Sequence, residues 1–276
     1  MRTSIFILFL VLASCHNSLD INKKDRKEGL VIEGWLDNLN TNDEIQLSFS
    51  TDFTSTTNPP VLSDAKVAVV INQQDTLAFE EKTAGVYVPK GRLIGQVGNV
   101  YALIIESKEG VIYRSSDEKM QSVAAINTVE VDLEILDPFD VEDVDTTWVI
   151  NIQFQDPADE VNYYRWILYI DGEQQNAAED LFVKNDKLTN GLVNTVKIRK
   201  KQLKSGSKII VHQLSLSEDG YGFLEEVRVH MNELGGPFSP APSSIRGNMF
   251  NVDNTAEWVV GYFGASAVSV DSVIVP

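Results

Sequence analysis

Cysteine is almost missing from this chain, whose 276 residues contain a single copy, Cys15. A lone thiol excludes an internal disulfide framework, so the fold must be held by packing and hydrogen bonds alone. Histidine is nearly as scarce, with His16, His212 and His230 its three copies. That excludes a histidine-rich metal centre, and the pattern around His212 and His230 reads as a strand surface and a helix surface, not a catalytic pair. Positive charge is short as well: 23 Lys and Arg face 40 Asp and Glu, for a formal net charge of −17. A chain so acidic repels nucleic acid and anionic lipid surfaces, which sets nucleic acid aside as a partner. Its one basic run, KIRKKQLK at 197–204, reads as a solvated strand end. After position 15 no apolar run reaches the roughly eighteen residues that a membrane-crossing helix needs. The G-x-S-x-G elbow, the H-E-x-x-H helix, the P-loop and the dinucleotide fingerprint are absent too, and no cofactor or metal is implied.

What is present begins with an address. Arg2 precedes an unbroken apolar run at 5–13, long enough for a signal peptide and too short for a membrane span. The run ends in Leu12-Ala13-Ser14-Cys15, which resembles the lipobox of bacterial lipoproteins. That resemblance implies a signal peptide over 1–14, cleavage before Cys15, and a diacylglycerol thioether on its sulfur. Several acyl chains hold a protein on a membrane more firmly than one does. Residues 15–28 are polar and mostly charged, and read as a tether between lipid and globule.

From Gly29 onward the chain shows short alternating apolar runs bounded by turn residues, the pattern of an all-β protein. LVIEGWLD (30–37), EIQLSFS (44–50), AKVAVVIN (65–72), DTLAFEEK (75–82), GVYVPK (85–90), VYALIIES (100–107) and GVIYRSS (110–116) are strands at hairpin spacing. They predict an N-terminal Ig-like β-sandwich over 29–135. A break at Asp137-Pro138 suggests a boundary, after which TTWVINIQFQDP, NYYRWILYIDG, NTVKIRKK and SKIIVHQLSLS read as strands of a second β-sandwich over 136–276. Asp171-Gly172 predicts a tight hairpin turn. One helix is expected near 220–234, where Phe223, Val227 and Met231 recur four apart and Gly235-Gly236 follows as a C-cap. The C-terminal segment 256–275 reads as two strands meeting around Gly264.

Three further features carry candidate chemistry. The acids Asp132, Glu134, Asp137, Asp140, Glu142, Asp143 and Asp145 are dense enough to raise Ca²⁺. Their spacing departs from the EF-hand loop and no glycine interrupts them, so they read as a solvated interdomain linker. Four aromatics alternate on one strand, with Tyr164 and Trp166 on one face and Tyr163 and Tyr169 on the other. One face is core; the other fits a ligand, a partner or an internal interface. The loop GGPFSPAPSSIRGNMF (235–250) is long and proline-stiffened, and offers Phe238, Arg246 and Asn248 for partner contact.

Taken in order, LVIEGWL, GVYVPK, YALIIES, GVIYRSS, NYYRWILY, GYGFL, GGPFSPAPSSIRGN and VVGYFGASAV resemble the Bacteroidota lipoproteins catalogued as domain of unknown function four-two-four-nine. The resemblance implies an outer-membrane lipoprotein, at the cell surface in preference to the periplasmic face, that partners a TonB-dependent barrel of the SusC type. It carries no catalytic residues, and an enzyme is not expected. A small molecule, glycan or peptide is the ligand class such a partner would capture. A structural or assembly lipoprotein supporting outer-membrane protein biogenesis is the alternative, with a surface hydrolase behind it.

Overall fold

The structure is a computed structural model that describes residues 29–39, 43–51, 57–135, 146–232, 245 and 247–276. Cys15, Phe238, Arg246, Gly235, Gly236 and five of the clustered acids, Asp137 to Asp145, lie outside the described residues. The first strands are β1 (Leu30–Asp37), β2 (Ile45–Phe49), β3 (Lys66–Ile71), β4 (Asp75–Thr83), β5 (Val86–Pro89), β6 (Val100–Glu106), β7 (Ile112–Ser115) and β8 (Glu118–Lys119). Next come β9 (Ile126–Ile135), β10 (Thr146–Gln155), β11 (Tyr163–Ile170), β12 (Glu173–Gln174), β13 (Phe182–Asn185), β14 (Val193–Lys200) and β15 (Lys208–Leu216). The chain closes with helix α1 (Glu218–Asn232), β16 (Met249–Asn251), β17 (Val259–Ser266) and β18 (Val268–Ile274). The protein is mainly β with one α-helix among the described residues, as its alternating runs predict.

Ten strands form one sheet in the order β16-β7-β6-β3-β4-β5-β2-β1-β17, with β8 attached to β6. Its ladders are antiparallel except one: β1 and β17 run parallel, from Leu30 opposite Val259 to Asp37 opposite Ser266. The sheet curls until its end strands β16 and β17 are neighbours, giving a nearly closed barrel. Inward positions alternate with outward ones, as a pleated strand requires. Ile32, Leu47, Val69, Leu103, Ile105 and Phe263 fill the interior. Each such side chain contributes about 1.5–3 kcal/mol when taken out of water.

The seam between β16 and β17 is closed by a side chain. Asn248, just ahead of β16, donates from Nδ2 to the Phe263 carbonyl oxygen at 2.8 Å and accepts the Phe263 N–H on Oδ1 at 2.9 Å. One amide thus makes the pair of bonds that a strand residue would have made. Asn248 is engaged inside the chain, although its loop position marked it for partner contact.

Two smaller sheets face each other across a second core. One has the order β14-β10-β9, and the other β12-β11-β15-β18 with β13 also on β11. Ile150, Ile152 and Phe154 from the first meet Tyr164, Trp166, Leu168, Ile209 and Val211 from the second. The buried Trp166 donates from Nε1 to Gln213 Oε1 at 2.9 Å, and Gln213 donates to the Ala124 carbonyl at 2.8 Å, so neither polar group is left unpaired. Asp171 and Gly172 both take positive φ, 51° and 89°, and make the hairpin turn into β12 that the Asp-Gly pair predicted.

The sheets do not clearly form the expected pair of Ig-like sandwiches. The N-terminal half curls toward a barrel instead of stacking two sheets, and β16 and β17 from the C-terminal half complete it. The reason is the parallel β1–β17 pairing, which joins residues more than two hundred positions apart and leaves no trace in local periodicity. The last two strands also meet at Ala267, with Gly264 inside β17. Four short strands, β8, β12, β13 and β16, are too brief for an alternating pattern to reveal.

Helix α1 lies where sequence periodicity placed it, beginning two residues earlier. Its N-terminus is capped by Ser217, whose Oγ accepts the Gly220 N–H at 3.0 Å. Leu224 is its buried apolar anchor, packed with Tyr163 of β11 and Leu216 of β15. Trp35 of the barrel, Leu181, Val183, Tyr221 and Phe223 pack around that cluster, so the helix sits where barrel and sandwich meet.

Candidate functional site

The outward face of β1 presents Val31, Glu33, Trp35 and Asp37, because Leu30, Ile32 and Leu36 point into the barrel. The outward face of β11 presents Arg165, Ile167 and Tyr169, because Tyr164, Trp166 and Leu168 point into the sandwich. These faces oppose each other and leave a groove of two adjoining lobes, about 460 and 420 Å³. Glu33, Trp35, Arg165 and Asn176 line both lobes.

The first lobe is polar. Glu33, Asp37, Glu44, Gln46, Gln174 and His212 contribute to its wall. Tyr169 and His212 pack ring to ring at 4.8 Å between centroids. Burial lowers the His212 pKa, with the Asp37 charge acting the other way. The second lobe is apolar: Val31, Phe223, Val227, Met231, Ile245 and Val260 face it. The helical stripe Phe223, Val227, Met231 therefore borders the groove, while Leu224 is the helix's buried apolar side chain. Met231 is 45 % exposed, which a stripe packed into a core would not be.

A row of π faces forms the floor between the lobes. The Arg165 guanidinium carbon lies 5.7 Å from the Trp35 ring centroid. Trp35 stacks on Tyr262 at 5.6 Å, and Tyr262 on Phe223 at 5.1 Å. Trp35 lies flat on β17 because its register partner is Gly264, where a Cβ would come within 2.2 Å of Trp35 Cζ3. Tyr262 is anchored below by Glu118, which accepts its hydroxyl proton, and by Ser217 Oγ at 3.2 Å. Burial is the main cause of the raised pKa of Glu118, outweighing the hydrogen bonds from Tyr262, Ser217 and Asn248 that lower it.

Arg165 stands apart electrostatically. Among the described residues its guanidinium has the Trp35 contact and no hydrogen bond or ion pair. Lost hydration lowers its pKa, and Tyr169 acts in the opposite direction. A guanidinium carries five donors in a fixed fork and loses stability when they are desolvated without partners. Its planar fork is matched by a carboxylate, by a peptide carbonyl pair or by vicinal hydroxyls.

The remaining candidates fall elsewhere. Tyr163, on the same face of β11 as Tyr169, is covered by α1: it packs against Tyr221 at 5.2 Å, with the Lys187 amine 5.6 Å over its ring. Of these two, only Tyr169 borders the groove. His230 sits on α1, with Nδ1 2.8 Å from the Glu226 carbonyl, while His212 is on β15. In the acidic run, Asp132 accepts from Asn151 Nδ2 at 2.8 Å, and Glu134 pairs with Lys197 at 2.9 Å and Arg199 at 3.2 Å. The basic run thus meets the acidic one across the β14-β10-β9 sheet. Among the described residues no three His, Cys, Asp or Glu gather as a metal site.

Sequence reasoning missed Trp35, Arg165, His212 as a groove residue, and Asn176. Arg165 had a local signal: it is the one charge inside the otherwise apolar and aromatic YYRWILYI strand. Trp35 had none, since its neighbours across the groove come from the far half of the chain.

A family model described as "Domain of unknown function (DUF4249)" matches residues 16–272. No curated protein matches the chain.

Proposed function

This chain belongs to the DUF4249 family, and we propose that it is a lipid-anchored, non-enzymatic binding protein of the outer membrane that captures substrate for a TonB-dependent barrel. The observation that carries the reading is the junction groove, where the Arg165 guanidinium lies over Trp35 and makes no hydrogen bond or ion pair among the described residues. Amides, aromatic faces and an apolar lobe line the rest of it. Such a wall recognises shape and hydrogen-bonding groups. The lipobox-like residues ending at Cys15 support anchoring, and the acidic body favours a soluble domain held off an anionic surface.

An extended peptide is the ligand class that fits best. Its main-chain carbonyls suit the Arg165 fork and the amides of Gln174 and Asn176, while its apolar side chains suit the lobe beside Val227 and Met231. Isolation of the protein from detergent-solubilised outer membrane tests the partnership. Recovery of a TonB-dependent receptor in near-equal amount is expected, and recovery of the protein alone overturns it.

A further inference from the structure

At the end of the sandwich where β10 stops and β11 starts, strand alternation directs three polar side chains inward. Phe154 faces the second core, so Asp156, two residues on, continues on that face; Tyr164 faces it too, so Asn162 does likewise. Asp186 follows β13 directly and extends its register with β11, donating its N–H to the Asn162 carbonyl at 3.2 Å. Its side chain therefore shares the face of Phe182, which packs on that core. All three residues are more than nine-tenths buried, at 2 % exposure for Asp156, 2 % for Asp186 and 7 % for Asn162.

Their hydrogen bonding is incomplete in one way only. Asp156 accepts the Tyr164 hydroxyl at 2.6 Å and the Gly191 N–H at 2.9 Å, and Asp186 Oδ1 accepts the Asn162 N–H at 2.9 Å. Asp186 Oδ2, Asn162 Oδ1 and Thr189 Oγ1 are buried without a partner, three of the five such side-chain atoms among the described residues. All three are oxygens from one small region, since Thr189 is tied to Asp186 by its N–H donating to the Asp186 carbonyl at 2.6 Å. Neither carboxylate has an ion pair among the described residues; Lys187, next in the chain, reaches Glu218 at 3.4 Å instead.

Asp156 and Asp186 converge on the start of β11, the first through the Tyr164 hydroxyl and the second through the Asn162 N–H, at a range where burial followed by Asp156 raises the Asp186 pKa. Two buried like charges at that range need either a shared proton or a cation between them. A proton would satisfy the carboxylates and leave Asn162 Oδ1 and Thr189 Oγ1 unbonded. A hard cation takes six to eight oxygens, neutral ones included, and uses the whole set. With carboxylate, amide and hydroxyl oxygens and no sulfur or imidazole ligand, the set suits a hard cation such as Ca²⁺ better than a transition metal.

We propose that Asp156, Asp186 and Asn162, with Thr189, form a Ca²⁺ site that clips the two sheets of the sandwich together. Asp156 comes from the β14-β10-β9 sheet and the other ligands from the ends of β11 and β13, so the ion bridges elements that are otherwise joined here by apolar packing and the Tyr164–Asp156 hydrogen bond.

The purified full chain, stripped with a chelator, tests this by calorimetry and by Tb³⁺ luminescence. Added Ca²⁺ should raise the unfolding temperature by roughly 5 °C or more at about a hundredfold excess over Kd. Tb³⁺ should show emission sensitised by Tyr164 and Trp166, displaced by excess Ca²⁺ and lost in Asp186→Asn. Absence of both responses in the wild-type chain overturns the proposal and assigns the pair a shared proton, in which case Asp186→Asn raises the unfolding temperature regardless of Ca²⁺. Emission that survives in Asp186→Asn also overturns it, because the ion then sits elsewhere. The wild-type titrations decide the matter even if the variant fails to fold, and neither outcome bears on the groove.

Discussion

The side-chain amide of Asn248 pairs with the backbone of Phe263 on both sides, donating at 2.8 Å and accepting at 2.9 Å, and so joins the two end strands of the barrel. Asn248→Ala would leave the Phe263 N–H and carbonyl without partners beside a buried ring. A loss of about 2–4 kcal/mol in urea unfolding is expected, at roughly 1–3 kcal/mol for each buried group left unpaired. Amide exchange at Phe263 should accelerate more than exchange at Val69, which lies deep in β3.

Gly264 has to be glycine because Trp35 rests on it. Gly264→Ala would place a methyl 2.2 Å from Trp35 Cζ3 and push the indole off the row of stacked rings. The expected cost is about 1–3 kcal/mol, the usual range for overpacking. Trp35 emission should shift to longer wavelength, which comparison with Trp35→Phe would assign among the four tryptophans.

Arg165 behaves differently if it serves a ligand. Arg165→Met keeps the aliphatic stem and removes the charge over Trp35, a contact worth about 2 kcal/mol where the cation is desolvated, offset by the cost of holding that charge out of water. Stability should therefore change by no more than about 1 kcal/mol, while nutrient-dependent growth or peptide binding falls strongly. A loss of several kcal/mol in unfolding would assign Arg165 to the scaffold instead.

Asp43 makes stability depend on acidity. Burial, offset in part by the Asp37 N–H and reinforced by the Asp37 charge, raises its carboxyl from 3.8 to about 6. The folded state thus binds this proton more tightly than the unfolded chain does. The resulting stabilisation is full below about pH 4 and is lost as pH rises through about 6. Unfolding free energy measured from pH 4 to 7 should fall by on the order of 2 kcal/mol from this group, since each tenfold gain in proton affinity is worth about 1.4 kcal/mol. Asp43→Asn should flatten that segment of the profile.

Local chemistry made much of this fold legible. Strand β1 occupies the 30–37 run, the Asp171-Gly172 turn sits where its residues demanded, and α1 begins at Glu218 near the expected start. Alternation put Tyr164 and Trp166 on one face of β11, and packing made that face the core. These features depend on neighbours within a few residues, and such neighbours are written in the chain itself.

The groove and the carboxylate pair depend on something else. Trp35 meets Arg165 across 130 positions, Asn248 closes a seam with Phe263 only after the barrel has curled, and Asp156 meets Asp186 because two sheets stack. The amino-acid order by itself determined which residues face in or out of each strand, since a pleat has a period of two and water penalises exposed apolar side chains. Only the tertiary structure decided which outward faces meet, because the parallel pairing of β1 with β17 is set by the summed packing of the whole barrel and by no run of residues within it.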